Sequence, residues 1–257
     1  MHTHVSEAYV KTEIHKGIAS IEFFHPQSNS LPGKTLHELA HVIMHAATDP
    51  KIFVIVLKSA GEKAFCAGAS FDELTAIKNE KEGLAFFSGF AEVINAMRKC
   101  PKFIIGRIHG KCVGGGVGLA AATDYAIAVE GADIKLSELA IGIGPFVVGP
   151  AVERKIGTSA FTQLAIDAAS WRNADWARRK GLFAELHQTV EAMDESIQKL
   201  ADTLSHSSPE AMAEMKKIFW KGTEHWDELL VERAKISGRL VLSEFTKEAI
   251  HKFKSKS

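Results

Sequence analysis

Between Gly110 and Gly118 five of nine residues are glycine, and three of them, Gly114, Gly115 and Gly116, are consecutive. A folded chain tolerates that density only where its backbone must take unusual dihedrals or pass close to something else. The run follows the apolar stretch Phe103-Ile104-Ile105-Gly106-Arg107-Ile108 and precedes a short helical stretch near 116–123. Phe65-Cys66-Ala67-Gly68-Ala69-Ser70-Phe71 forms a second junction of the same character. At a strand-to-helix junction glycine lets a ligand approach the main chain. The first helical turn there presents N–H groups with no partner inside the helix. Two such groups converging on one oxygen would form an oxyanion hole, although close helix–strand packing explains either cluster taken alone.

A third segment, Leu136-Ser137-Glu138-Leu139-Ala140-Ile141-Gly142-Ile143-Gly144-Pro145, sets one carboxylate in apolar, glycine-rich surroundings. Desolvation there would raise the pKa of Glu138 toward a value suited to acid/base chemistry. The plainer alternative is an acidic residue that balances a helix dipole.

Around these segments strands and helices alternate. Two alternating runs at 8–14 and 18–24 flank a His15-Lys16-Gly17 turn and predict a hairpin. Helical spacing covers 34–48 and 82–98, and strands are expected at 53–57, 103–108, 125–130, 133–137 and 182–187. Helices fill 149–180, and 190–248 is almost entirely helical, with Ser208-Pro209 as a helix start. The expected organisation is an α/β core over 1–190 and a helical region over 191–257.

Charge and cysteine content narrow the function classes. The 257 residues carry 31 Lys+Arg against 31 Asp+Glu, which argues against a protein built to wrap nucleic acid or to coat an anionic membrane. No stretch reaches the ~20 apolar residues of a spanning helix. Cys66, Cys100 and Cys112 are too few and too scattered for a disulfide framework or a zinc site. A cytoplasmic location is the expectation.

The order and spacing of the motifs identify a family resemblance. Asn29-Ser30-Leu31, Phe65-Cys66-Ala67-Gly68-Ala69, Gly114-Gly115-Gly116 with Asp124, Ser137-Glu138 with Gly142 and Pro145, Ala174…Ala177…Gly181-Leu182 and Ser208-Pro209 resemble the crotonase superfamily, the enoyl-CoA hydratase/isomerase family, over essentially the whole chain. The resemblance implies a repeated ββα spiral core, a C-terminal helical trimerisation region and a trimer or dimer of trimers. It implies an acyl-CoA substrate whose thioester oxygen is held by the N–H groups of Ala69 and Gly115, with Glu138 as acid/base. CoA is then part of the substrate, and no other cofactor or metal is expected. Ala67, Gly68, Gly114, Gly118, Pro145 and Phe146 are expected to contact substrate.

Three departures from the family pattern stand out. The second glutamate of family hydratases falls at Gly118, the usual Asp after Ala69 is Ser70, and Phe146-Val147-Val148 replace the glycines that commonly follow the proline. One carboxylate suffices to move a proton between carbons, so double-bond isomerisation and hydration both remain open. Substrates of the 3-methylglutaconyl type, a hydrolase, decarboxylase or C–C lyase on the same fold, and a non-catalytic acyl-CoA-binding scaffold are the alternatives.

Other signals have ordinary explanations. His37, His41 and His45 recur on the polar side of the first helix, where a solvated or subunit-facing role is expected rather than a metal site. Gly116-x-Gly118-x-x-Ala121 fits a loose dinucleotide fingerprint, but its helix is too short for a mononucleotide crossover. Cys66 and Cys112 read as buried small hydrophobes. Phe86, Phe87 and Phe90 suit either an acyl pocket or the core. Lys247, Lys252, Lys254 and Lys256 against Glu248 make a basic end that could meet the nucleotide end of CoA.

Overall fold

In the computed structural model, residues 7–254 are described. The hairpin forms from β1 (Tyr9–His15) and β2 (Ile18–Phe24), which pair antiparallel in the register Tyr9 to Phe24. The short β3 (Ser30–Leu31) leads into α1 (Gly33–Thr48). β4 (Val54–Ser59), β5 (Ala64–Cys66) and β6 (Gly68–Ala69) follow, then α2 (Phe71–Ala76) and α3 (Glu80–Lys99). The next turn is β7 (Phe103–Ile108), β8 (Lys111–Val113) and α4 (Gly115–Ala122). Another is β9 (Tyr125–Val129), β10 (Ile134–Lys135), a 3₁₀ turn at Leu139–Ile141 and α5 (Gly149–Ile166). The remainder is α6 (Ala174–Arg179), β11 (Glu185–His187), α7 (Val190–Ser205), α8 (Pro209–Phe219), α9 (Trp226–Leu240) and α10 (Glu244–Lys254).

The long strands order as β1-β2-β4-β7-β9-β11, parallel beyond the hairpin, while β10-β8-β5 form a second, parallel sheet. Each ββα unit thus gives one long strand to the first sheet, one short strand to the second, and then a helix. That is the repeated ββα spiral expected of the family. Val54, Ile55, Leu57, Ile104, Ile105 and Ile127 are buried, as parallel strands covered on both faces require. α1 buries Leu36, Leu39, Ala40 and Ile43 and leaves His37, His41 and His45 exposed. His37 Nδ1 lies 3.1 Å from Glu92 Oε2, and among the described residues no three His, Cys, Asp or Glu side chains group as metal ligands.

Local chemistry fixes the junctions. Asn29, buried and in the left-handed region at φ 57°, donates from Nδ2 to the carbonyls of Ala60 and Ala64 at 2.8 and 2.9 Å. This ties the turn before β3 to the β4–β5 loop and the start of β5, while β3 itself pairs with β6. Ser70 caps α2, its Oγ accepting from the Glu73 amide at 3.4 Å. A capping role suits Ser as well as Asp, so the departure at 70 leaves this junction intact. Glu73 in turn accepts from the Gly33 amide at 2.6 Å and satisfies the start of α1. The helix expected at 82–98 is α3, the short α2 follows the Phe65–Phe71 junction, and α5 is interrupted at Gly157, whose φ is 77°.

The C-terminal helices are integral to the core. α7, on the helical side of the expected 190 boundary, packs across β4, β7, β9 and β11, and α9 packs along α3. α8 is held by a buried polar cluster. Lys216 Nζ donates to Asp124 Oδ2 at 2.7 Å and to the Lys102 carbonyl at 2.8 Å. Asp124 also accepts from the Ile104 amide at 2.8 Å and from Trp220 Nε1 at 3.1 Å. Lys247 pairs with Glu244 at 2.8 Å, and Lys256 lies outside the described residues. No helix among the described residues is long and apolar enough to cross a membrane.

Side chains of Lys216 and Asp124 are 2% and 8% exposed, so removing one leaves a buried charge uncompensated. Lys216→Met is expected to lower stability by about 3–5 kcal/mol, measured as a shift in urea unfolding at neutral pH. Full retention of stability would show that water reaches Asp124.

Candidate active site

The two glycine-bearing junctions meet. A methyl group on Gly68 would lie 2.8 Å from the Val113 carbonyl and 3.4 Å from the Gly115 nitrogen, so β6 and the start of α4 run backbone against backbone. Gly116 closes the same contact: a methyl there would lie 2.2 Å from the Cys66 carbonyl. Close packing therefore explains Gly116 fully. Gly114 differs, because its φ of 53° and ψ of −116° are open only to glycine. Its α-carbon also borders Glu138, whose Oε1 would be 3.1 Å from a methyl group at that position.

A cavity opens where these elements meet. Ala67, Gly68, Ala69, Gly114 and Gly115 form one wall, with Glu138 beside them. Pro145 and Phe146 border it, and Val147 and Val148 continue that border. α3 supplies Phe87 and Phe90, whereas Phe86 faces a separate surface groove beside Gly33. Three more contributors, Phe71 and Leu74 of α2 and Ser237 of α9, carry no sequence signal of a site, since helix spacing marks them only as inward-facing.

Gly118 is not brought to this wall. It is buried in α4, and a methyl on its α-carbon would lie 2.5 Å from Val148 Cβ. The expectation that Gly118 contacts substrate is therefore corrected: Val148 covers it and presents its own side chain to the cavity. The volume that a second glutamate would need is filled by valine. A glutamate at 118 cannot enter unless Val148 withdraws, so the missing carboxylate and the bulky 146–148 segment are one coordinated change.

Among the described residues Glu138 is the single ionisable side chain that lines the cavity. It begins the 3₁₀ turn, whose carbonyl accepts from the Ile141 and Ile143 amides at 3.2 and 2.9 Å. Its Oε2 is buried without a hydrogen-bond partner among the described residues. Burial pushes the carboxyl up from 4.5 to about 7, so at neutral pH it can both take and give a proton. The N–H of Ser70 donates to Leu31 at 3.1 Å. Alternation along the strand turns the neighbouring Ala69 amide to the opposite edge, where residue 69 borders the cavity.

Cys66 and Cys112 face each other across β5 and β8, fully buried. Burial pushes the Cys66 thiol up to about 12 and raises that of Cys112, so neither presents a thiolate.

Comparison with known proteins agrees with this geometry. The family model for enoyl-CoA hydratase/isomerase matches residues 13–257. The chain belongs to that family. It is accordingly an acyl-CoA-transforming enzyme of the crotonase type. Carnitinyl-CoA dehydratase of Proteus mirabilis (strain HI4320) is 32% identical over 194 residues, covering 76% of this chain and 73% of its own. The Escherichia coli K12 protein of that name is 30% identical over 206 residues, covering 79% and 76%. The solved enoyl-CoA hydratase of Bacillus halodurans superposes with a TM-score of 0.87 at 21% identity, over 95% of this chain and 99% of that one. One from Mycobacterium avium gives 0.83 at 24%, over 96% of each. At those identities the two structures speak for the fold alone.

Two measurements follow from the site. Gly118→Ala is expected to lose about 1–3 kcal/mol by overpacking, and Val148→Ala in the same chain to recover part of it. A double-mutant cycle in urea reads that coupling, and strict additivity would contradict the contact. The second concerns Glu138. Its folded pKa is raised, so the native state keeps a proton that the unfolded chain releases above pH 4.5. Stability falls as pH climbs from there, and the loss, about 3 kcal/mol, is complete once pH exceeds about 7. Glu138→Gln should abolish that slope, as thermal unfolding between pH 4 and 8 would show.

Proposed function

We propose that the chain interconverts 3-hydroxyacyl-CoA and 2-enoyl-CoA thioesters, with Glu138 as its one proton carrier and Ala69 and Gly115 as donors to the thioester oxygen. The observation that carries this reading is a single buried, unpartnered carboxylate facing the junction of two amide-bearing turns, with the place of a second carboxylate filled by Val148.

In the dehydration direction Glu138 takes the proton from C2, and negative charge passes to the thioester oxygen. Two backbone N–H groups aimed at that oxygen stabilise the enolate, each worth roughly 2.7–4 kcal/mol in comparable sites. The enolate then expels the 3-hydroxyl, which leaves as water with the proton Glu138 carried. The reverse sequence hydrates the double bond. The formal oxidation of C2 is matched by the reduction of C3, so loss of water needs no external oxidant or reductant. The relatives named as dehydratases, at 30–32% identity, support this direction.

The same shuttle could return the C2 proton to C4 and shift a 3,4 double bond to 2,3. That second reading rests on the same lone carboxylate, and substrate choice separates the two. A free carboxylate at the far end of the acyl chain, as in 3-methylglutaconyl-CoA, is disfavoured because no Lys, Arg or His among the described residues lines the cavity. Association into a trimer or dimer of trimers is part of the proposal. Exposed Ile166, Ile218 and Phe219, at 74%, 70% and 48%, give apolar area for it. Three free, buried cysteines suit a cytoplasmic setting.

Assay of crotonyl-CoA hydration beside 3-pentenoyl-CoA isomerisation decides between the readings. Glu138→Gln is expected to lower turnover at least a hundredfold while thioester binding persists. The parent kcat/KM for hydration should rise about tenfold per pH unit below about 7 and level off above it, because the base form must be ionised. Unchanged turnover in the variant would remove Glu138 from the reaction.

A further inference from the structure

Ser237 is the remaining polar side chain that the C-terminal helices bring to the cavity. It is 1% exposed and borders the cavity from α9. A hydroxyl set in an otherwise apolar wall is placed to pair with a polar group of whatever fills the cavity. The position is rigid. The next residue, Gly238, meets Gly83 of α3 backbone to backbone, since a methyl on Gly83 would lie 2.6 Å from the Gly238 carbonyl. No larger residue fits either side of that crossing, so α9 cannot slide and the hydroxyl stays where it is.

α3 also gives the distance from the reacting end. The Phe90 ring abuts Gly115, one of the proposed oxyanion donors: a methyl there would lie 2.2 Å from Cε1. Gly83 is two helical turns back along α3, about 10 Å at 1.5 Å per residue. Phe87, between them, also borders the cavity. Ser237 therefore borders the cavity about two helical turns along α3 from the Phe90–Gly115 contact, a separation on the scale of a short acyl chain. The wall there offers a neutral hydroxyl and aromatic rings, and no cation to accept a carboxylate.

We propose that Ser237 determines specificity, by hydrogen-bonding an uncharged oxygen, hydroxyl or keto, at the distal end of a short acyl-CoA chain. This rests on the reading of the site as a thioester site and adds to it the class of acyl group accepted. A site that hydrogen-bonds a substrate hydroxyl discriminates strongly against the analogue lacking it, because its own polar group is left unpaired.

Calorimetric binding of saturated thioesters tests this without turnover. The parent is expected to bind 5-hydroxypentanoyl-CoA at least tenfold more tightly than pentanoyl-CoA, and glutaryl-CoA more weakly than either. Ser237→Ala should bring the first two within threefold of each other, chiefly by weakening the hydroxylated ligand. Ser237→Cys, which keeps the volume, should do the same and decides the matter if the alanine variant fails to fold. A parental preference below tenfold, or one that survives in both variants, overturns the role of Ser237 while leaving the thioester site standing. Failure of the parent to bind either thioester overturns both.

Discussion

Everything at the site depends on one backbone-to-backbone contact, that of β5 and β6 with the first turn of α4. Gly68 and Gly116 allow two main chains to touch where side chains would hold them apart. The contact sets the amides of residues 69 and 115 beside one cavity and leaves Gly114 in a conformation that makes room for the Glu138 carboxylate. A loop could carry the same residues with less precision. Here the junctions are clamped by two sheets, by the buried Asn29 amide and by the Ser70 cap.

The second governing feature is the exchange at 118 and 148. The cavity is not a two-carboxylate site with one member deleted. Valine occupies the vacated volume, so the wall is continuous and apolar beside the one remaining acid. An apolar wall and an unsolvated carboxyl are mutually reinforcing: the first raises the proton affinity of the second, and a proton carrier that serves both directions of a reversible step needs a pKa near the working pH.

Residues that act through the main chain or through a local motif were legible in the sequence. Glu138 stands out by its apolar neighbours and the two junctions by glycines ahead of helices, whereas the choice of Ala69 and Gly115 within them comes from the family resemblance. The hairpin and the strand and helix alternation follow from periodicity. Illegible were contacts between distant segments. Nothing local says that Gly118 faces Val148, so a position matching a family motif was taken for a substrate contact. Nothing local distinguishes Ser237 from any serine on a helix, or sends Phe87 to the cavity and Phe86 to a groove. The boundary at 190 reflected the change from alternating elements to helices alone, yet α7 completes the packing of the first sheet. A change of secondary-structure type is not a change of hydrophobic core.

The Lys216–Asp124 pair has a consequence for how the protein is made. Asp124 ends the turn that follows α4, in the middle of the chain, whereas its cation arrives on α8. Synthesis proceeds from the N-terminus, so the strands and the glycine junctions emerge first, with Lys155 of α5 as the cation beside that segment and the direct partner Lys216 still to come. The cation is carried on α8, and the next helix, α9, brings Ser237 to the cavity. The helix that completes the buried charge pair and the helix that completes the cavity wall are thus neighbours in sequence, so a truncation before α8 would remove both at once.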